Sequence, residues 1–327
     1  MLTTVDKDDL VLVTGAGGFI GGWLVKDLIQ RGHKNIRAVD VKPFTDWYQR
    51  FDEVENLNLN LEQIDNCRLA AKNTNYIYNL AADMGGMGFI EKNKAACMLS
   101  VLINTHLLMA AKENNTKNFF YASSACVYNS DKQLSTENLG LKESDAYPAL
   151  PEDGYGWEKL FSERMCRHFS EDYGIKTRVA RYHNVYGPLG TYSGGREKAP
   201  AAICRKVAQA KKSGILEINI WGDGEQTRSF TYIDDTTLGT QLIMHSSIEV
   251  PINLGSDQIV SINQLVTLVE EIAGVKLKRN YDLNAPKGVR GRNSENSFIQ
   301  SKLSWKPSIK LESGIEKTYE WIYNDID

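Results

Sequence analysis

Short apolar runs alternate with stretches of helical periodicity through the first half of the chain. The runs lie at 10–13, 36–39, 76–80, 119–122 and 177–182, and each is long enough for a buried strand. Between them, 18–31, 89–113 and 156–173 carry the spacing of amphipathic helices, and Gly174 follows the last as a natural stop. Strands and helices in this order imply parallel βαβ units. The expected fold is therefore α/β, a Rossmann-type doubly wound parallel sheet with a smaller, mixed α/β lobe.

After about residue 183 the pattern loosens, and turns such as Gly187-Pro188-Leu189-Gly190 and Gly222-Asp223-Gly224 separate shorter elements. The expected division is a nucleotide-binding domain at 1–182 and a mainly substrate-binding lobe at 183–327, with a strand near 251–255 returning to the main sheet. Two late helices are expected to start at capping boxes, Ser261-Ile-Asn-Gln264 and Ser313-Gly-Ile-Glu316. The stretch 208–216 reads as irregular.

Composition narrows the classes. The 327 residues are 42% hydrophobic and 24% charged with a formal net charge of −3, which gives no bulk attraction to nucleic acid or to a membrane surface. An anionic ligand must then be held by local groups. The five cysteines, at 67, 97, 126, 166 and 204, have neither CxxC nor Cys/His ligand spacing, so no disulfide framework and no metal site is expected. The first residues lack the apolar core of a signal peptide, and no apolar run approaches the length that spans a bilayer. These features point to a cytoplasmic protein.

The glycine turn Gly15-Ala-Gly17-Gly18-Phe19-Ile20-Gly21 follows the first strand and opens a helix, the setting in which backbone can approach a pyrophosphate at a helix N-terminus. Asp40 ends the second strand, where a carboxylate accepts from the adenosine ribose hydroxyls and repels a 2′-phosphate, so NAD is favoured over NADP. Arg37 and Lys42 lie near enough in sequence to soften that preference. A strand-ending Asp that merely caps a turn is the competing reading. The small residues of Asn79-Leu80-Ala81-Ala82 suit a close pass of the dinucleotide.

Tyr155-Gly-Trp-Glu-Lys159 places a phenol and an ammonium one helical turn apart on one face. A nearby ammonium and a positively charged nicotinamide both favour the phenolate, which can take a proton from a substrate hydroxyl as hydride leaves the same carbon. Ser124, upstream in Ser123-Ser124-Ala125-Cys126, is placed to hydrogen-bond that hydroxyl.

These motifs resemble those of the extended short-chain dehydrogenase/reductases, the NAD-dependent epimerase/dehydratase family, and the likeness runs from about residue 9 to about residue 323. Within that family the chain is most similar to the GDP-mannose 3,5-epimerases. The segments that carry this are 79–89, Ser123-Ser-Ala-Cys126, Gly194-Gly-Arg-Glu-Lys-Ala-Pro-Ala-Ala202, Gln226-Thr-Arg-Ser-Phe230 and Gly288-Val-Arg-Gly-Arg-Asn-Ser294. The resemblance implies transient oxidation at C4 of a GDP-hexose, which acidifies C3 and C5, followed by proton removal on one face and delivery on the other. GDP-L-galactose is the implied product, with GDP-L-gulose where only C5 inverts.

Cys126 and Lys198 stand where that family has its acid/base pair; a thiol lowered by a nearby lysine and the cofactor's charge is the expected base, and Lys198 the donor. By the same resemblance Gly85, Asn184, Glu197, Lys206 and Arg292 contact substrate, and Arg228 is a further cation for the diphosphate. Asn60 stands where the group usually has an aspartate against adenine; its amide carbonyl can still accept. Related enzymes pair the helices at 89–113 and 156–173 into a four-helix dimer interface. Met98, Leu102, Leu107 and Leu108 permit a homodimer but serve equally as core.

Three readings remain open at the level of sequence. Besides the 3,5-epimerase, a 4-epimerase needs no Cys126/Lys198 pair, and a 4,6-dehydratase has an Asp-Glu pair where this chain has Ala125-Cys126. The third is an NAD-binding sensor without turnover.

Overall fold

A computed structural model of the chain describes residues 6–137, 140–286 and 288–326. In chain order the first part contains β1 (Val11–Thr14), α1 (Phe19–Gln30), β2 (Ile36–Asp40), β3 (Glu55–Asn58), α2 (Ile64–Ala71), β4 (Tyr76–Asn79), α3 (Met87–Ile90), α4 (Lys94–Glu113), β5 (Asn118–Ser124), α5 (Tyr155–Tyr173) and β6 (Lys176–Tyr182). There follow β7 (Val185–Tyr186), α6 (Ala199–Ser213), β8 (Glu217–Trp221), β9 (Thr227–Ser229), β10 (Thr231–Tyr232), α7 (Ile233–Met244) and β11 (Ile252–Leu254). The last elements are β12 (Ile259–Ser261), α8 (Ile262–Ala273), β13 (Lys278–Asp282), β14 (Gly291–Arg292), α9 (Ser297–Leu303) and α10 (Leu311–Asp325).

Seven strands make one parallel sheet in the order β11-β6-β5-β4-β1-β2-β3. Alternation along each strand feeds two cores. Tyr78 and Phe120 point to the face that packs on α1 and α7, while Ile77, Phe119 and Tyr121 point to the face covered by α2, α4 and α5. Burial of both faces explains why these strands read as continuous apolar runs. The strand order reverses between β1 and β4, so a crevice opens beyond their carboxyl ends, the usual ligand position in such sheets. The smaller lobe is built from β8 with β13, the three-stranded β12-β9-β14, and α6 packed on α8 and α10.

Several local expectations need correction. β3 gave no apolar signal because its residues, Glu-Asn-Leu-Asn, are only partly buried at a sheet edge. The stretch 89–113 divides into α3 and α4. The irregular segment expected from 208 is helical as far as Ser213, where Gly214 ends α6 in the left-handed region.

The Ser261 box forms in both directions, with Ser261 Oγ accepting from Gln264 N at 3.1 Å and Gln264 Oε1 accepting from Ser261 N at 2.8 Å. Ser313, by contrast, lies inside α10, which begins at Leu311 after Lys310. At 20 residues α4 is long and apolar enough, by length and composition, to cross a membrane, contrary to the sequence expectation. Here it lies against α2 and α5, with Leu107 and Leu108 in the core and Met98, Leu99 and Leu102 on its exposed side.

Candidate active site

The crevice is floored by the glycine turn between β1 and α1. A Cβ on Gly21 would lie 2.1 Å from the Gly15 carbonyl oxygen, so only glycine lets the helix close onto the turn. Gly18 is the N-cap of α1 and no side chain caps that end, which leaves first-turn amides directed at the crevice. Phe19 and Ile20 begin the helix and pack against the core. On the far side of the turn, Leu80 and Ala81 follow β4, and Ala81 N donates to Thr14 Oγ1 at 3.3 Å.

Asp40 stands at the end of β2, buried. Its Oδ2 accepts from Gly17 N at 3.0 Å and its Oδ1 from Lys42 N at 3.0 Å, so it caps the turn as well as lying at the ribose position. Arg37 is turned away, held by Glu55 at 2.7 Å and by the carbonyls of Ala70 and Lys72. It does not soften the cofactor preference. Asn60 precedes α2, with Oδ1 accepting from Glu62 N at 2.9 Å.

Beyond the carboxyl end of β5 the reacting groups gather. Ser124 ends the strand, and its Oγ accepts from Cys126 N at 3.2 Å, fixing the tight turn that presents the thiol. Tyr155 is the first residue of α5, buried and hydrogen-bonded to Ser124. Lys159 sits one turn on, with Nζ 5.5 Å from the Tyr155 ring centroid and 4.8 Å from that of Tyr121. It is 3.6 Å from the buried Glu158 carboxylate, which also accepts from Tyr121 at 3.0 Å and Ser162 at 2.9 Å. Burial, then the neighbouring thiol and Glu158, hold the Tyr155 phenol well above its ordinary pKa. The expected activation, by the Lys159 ammonium together with a positively charged nicotinamide, is therefore not a property of the protein alone.

The second lobe closes over these groups. Lys198, half-buried at the N-cap of α6, faces Cys126; burial lowers its pKa, and Arg292 lowers it further. The thiol is pushed up to about 11, first by burial and then by the Glu152 carboxylate, against the pull of Arg292. The expected lowering of this thiol is therefore not a property of the protein alone.

Arg292 Nη1 donates to Cys126 Sγ at 3.5 Å, and its other donors reach Glu152 and Gln133. Arg228 lies beside it, its pKa brought to about 10 by burial and by Arg292.

The remaining predicted contacts surround this cluster. Gly86, next to Gly85, approaches the 194–198 segment so closely that a Cβ would lie 2.4 Å from the Glu197 carbonyl oxygen. Gly86 N donates to Arg196 O at 2.9 Å, and Arg196 in turn bonds Asp83 at 2.5 Å, so the glycine loop and the lysine segment form one wall. Glu197 accepts from Gly195 N at 2.7 Å and from Arg205 at 3.1 Å.

Asn184 donates to Ser229 O at 3.1 Å at the junction of the lobes. Lys206 is the most remote of the set, donating to Asn219 O at 2.7 Å on β8, with its pKa lowered by burial and then by Arg205. Glu152, Gln133 and Glu158 carried no sequence signal beyond their neighbours' motifs.

Comparison with known proteins bears on this arrangement. Residues 11–255 match the model of the NAD dependent epimerase/dehydratase family. The chain is 44% identical over 324 residues to GDP-mannose 3,5-epimerase 1 of Oryza sativa subsp. indica, spanning 97% of this chain and 82% of that protein. It is 43% identical to GDP-mannose 3,5-epimerase of Arabidopsis thaliana, over 97% of this chain and 83% of that one. The fold matches UDP-glucose 4-epimerase of Thermotoga maritima with a TM-score of 0.86 at 24% identity, covering 97% and 99% of the two chains.

Proposed function

The chain belongs to the NAD-dependent epimerase/dehydratase family, and from that premise we propose that it converts GDP-D-mannose to GDP-L-galactose, with GDP-L-gulose formed where only C5 inverts. Its cofactor is NAD, and the turn at Gly15, Gly18 and Gly21 with the uncapped amides of α1 fits a dinucleotide pyrophosphate. Asp40, Asn60, Leu80, Ala81, Tyr155 and Lys159 would hold the rest of it. When bound, NAD supplies a reversible hydride acceptor for C4, and the ketone at that carbon acidifies C3 and C5.

The protein's own groups carry the protons. Tyr155 takes and returns the proton of the C4 hydroxyl while Ser124 hydrogen-bonds the same oxygen. Cys126 removes a carbon-bound proton from one face of the ring. Lys198 delivers one to the other face, and its lowered pKa makes the ammonium a readier donor. Asn184, Glu197 and the backbone at Gly85 lie where the sugar is oriented, and Lys206 with Arg228 supplies cations for the diphosphate.

The observation that carries this reading is the meeting of Cys126 and Lys198 beside Ser124 and Tyr155. The 4-epimerase and dehydratase alternatives are not favoured, since the first needs no such pair and Ala125-Cys126 replaces the acidic pair of the second. Incubation with GDP-mannose in D2O, read by NMR, tests it: deuterium at C5 and C3 is expected, and a sugar free of deuterium would overturn the reading.

The enzyme is proposed to act as a homodimer in the cytoplasm. Met98, Leu99, Leu102, Trp157 and Phe161 on α4 and α5 are exposed apolar side chains, which supports pairing through these helices. Cys67, Cys97, Cys126, Cys166 and Cys204 are all free thiols, in keeping with a reducing compartment.

A further inference from the structure

Arg292 is held by three acceptors that the reaction set out above does not use together. Nε donates to Gln133 Oε1 at 2.6 Å, Nη2 to Glu152 Oε1 at 2.6 Å, and Nη1 to Cys126 Sγ at 3.5 Å. Gln133 is fully buried, and its amide nitrogen donates to the carbonyls of Tyr128 and Asn129, each at 3.2 Å, so its oxygen has one orientation only. Glu152 is tied to the thiol's own peptide, with its N–H donating to Cys126 O at 3.0 Å. Burial works against its charge, but Arg292 and the Cys126 thiol more than offset this and hold the carboxyl below its ordinary pKa. A planar guanidinium gripped on three sides is held in one orientation against the sulfur.

Building on the proposed role of Cys126, we infer that Gln133 and Glu152 are positioning residues that clamp Arg292 against Cys126 Sγ, where the guanidinium acts as counter-ion of the thiolate. The thiol first loses its proton to solvent. The thiolate then takes the substrate's carbon-bound proton: the C–H bond breaks, an S–H bond forms, and the electron pair passes into the enolate of the C4 ketone. Lys198 places a proton on the opposite face and regains one from solvent, so no net proton is consumed.

The charged and titratable groups facing the thiol come from every neighbouring element: Arg292 of β14, Arg228 of β9, Lys198 before α6, Glu152 before α5 and Tyr155 of α5. Among these, Arg292 favours the thiolate and Glu152 opposes it. The clamp therefore sets the pH at which the sulfur is reactive.

The test is the pH dependence of Cys126 alkylation by iodoacetamide in the intact protein, followed by peptide mass, with deuterium exchange from GDP-mannose measured in parallel. The other four cysteines are buried, which leaves Cys126 the most accessible thiol. Gln133→Met frees Arg292 and should move the midpoint upward, cutting the reactive fraction at neutral pH by about tenfold for every pH unit that the midpoint rises. Glu152→Gln keeps an acceptor for Arg292 but removes the opposing charge, so it should move the midpoint downward. Arg292→Lys, which retains charge without the fork, should raise it by less than Gln133→Met.

A merely structural clamp would not move the two variants in opposite directions. Unchanged midpoints in Gln133→Met and Glu152→Gln, with wild-type deuterium exchange present, would overturn this inference alone. Absence of exchange in the wild type would overturn the epimerase reading, while the alkylation midpoints still report on the clamp.

Discussion

Arg228 and Arg292 are register partners on the adjacent parallel strands β9 and β14, so two guanidiniums project from the same side of a three-stranded sheet into a buried site. Like charges this close oppose each other, and burial adds to the cost. Arg292 is compensated by Glu152 and the thiol, which more than offset burial and raise its pKa, whereas Arg228 is lowered to about 10. A dianionic diphosphate would relieve that imbalance. Arg228→Met should raise KM for the GDP-sugar by about 10- to 100-fold, the loss of one or two charge-assisted hydrogen bonds. The same variant should cost little stability in urea, because Met keeps the apolar packing and removes a charge that burial and Arg292 both disfavour.

Tyr155 is buried at the start of α5 with its hydroxyl directed at Ser124. Tyr155→Phe keeps the ring and its packing and removes only the proton carrier. The expected result is a fall in kcat of about 10²- to 10⁴-fold, measured with NAD in excess and far larger than any loss of NAD from the purified protein. A fall in activity that only tracks the loss of bound NAD would leave the residue its cofactor-binding role alone.

The sheet was legible because its strands are buried on both faces: Tyr76-Ile77-Tyr78 and Phe119-Phe120-Tyr121 leave no polar alternation to misread. β3 was not, since an edge strand of Glu55, Asn56, Leu57 and Asn58 carries the composition of a loop. In the site, residues spaced along one helix or turn were readable, as with Tyr155 and Lys159. Gln133 and Glu152 were not. They lie in loops without periodicity and acquire meaning only when β14 brings Arg292 between them. The resemblance put Arg292 in contact with substrate, and the fold adds a contact to the Cys126 sulfur that no spacing in the sequence shows.

Behind the active site, Arg181 and Glu163 form a buried two-point ion pair, with Nη2 to Oε2 at 2.7 Å and Nε to Oε1 at 2.8 Å. Ser123 Oγ also donates to Glu163 Oε1 at 2.6 Å, which connects β5, α5 and β6. Removing one partner strands the other's charge in the interior. Glu163→Ala should therefore lower unfolding free energy by roughly 3–5 kcal/mol, measured by urea denaturation. Glu163→Gln, which retains an acceptor, should lose less.

The exposed face of α4 and α5 gives a test of assembly. Phe161 is 52% exposed and Trp157 42%, large aromatic areas for a helix surface. Phe161→Glu should convert a dimer to a monomer in sedimentation without lowering the melting temperature of the monomer fold. An unchanged sedimentation coefficient would place any dimer contact elsewhere.

Two buried histidines make the fold sensitive to acid. Burial lowers His183 to about 3 and His245 to about 4, with His33 the next contribution at His245. Both folded values lie below the unfolded value of about 6.5, so between these limits the unfolded chain binds more protons. Their contribution to stability is complete above pH ~6.5 and is lost as the pH falls through about 4 and then about 3. His245 packs edge-on against Tyr76 with ring centroids 5.7 Å apart, so His245→Phe retains the aromatic contact while removing the titration. Wild-type stability in urea should fall between pH 7 and pH 4.5, and His245→Phe should recover on the order of 2 kcal/mol of that fall. Parallel curves for the two proteins would mean that His245 takes up its proton without unfolding, and that acid sensitivity arises at His183 instead.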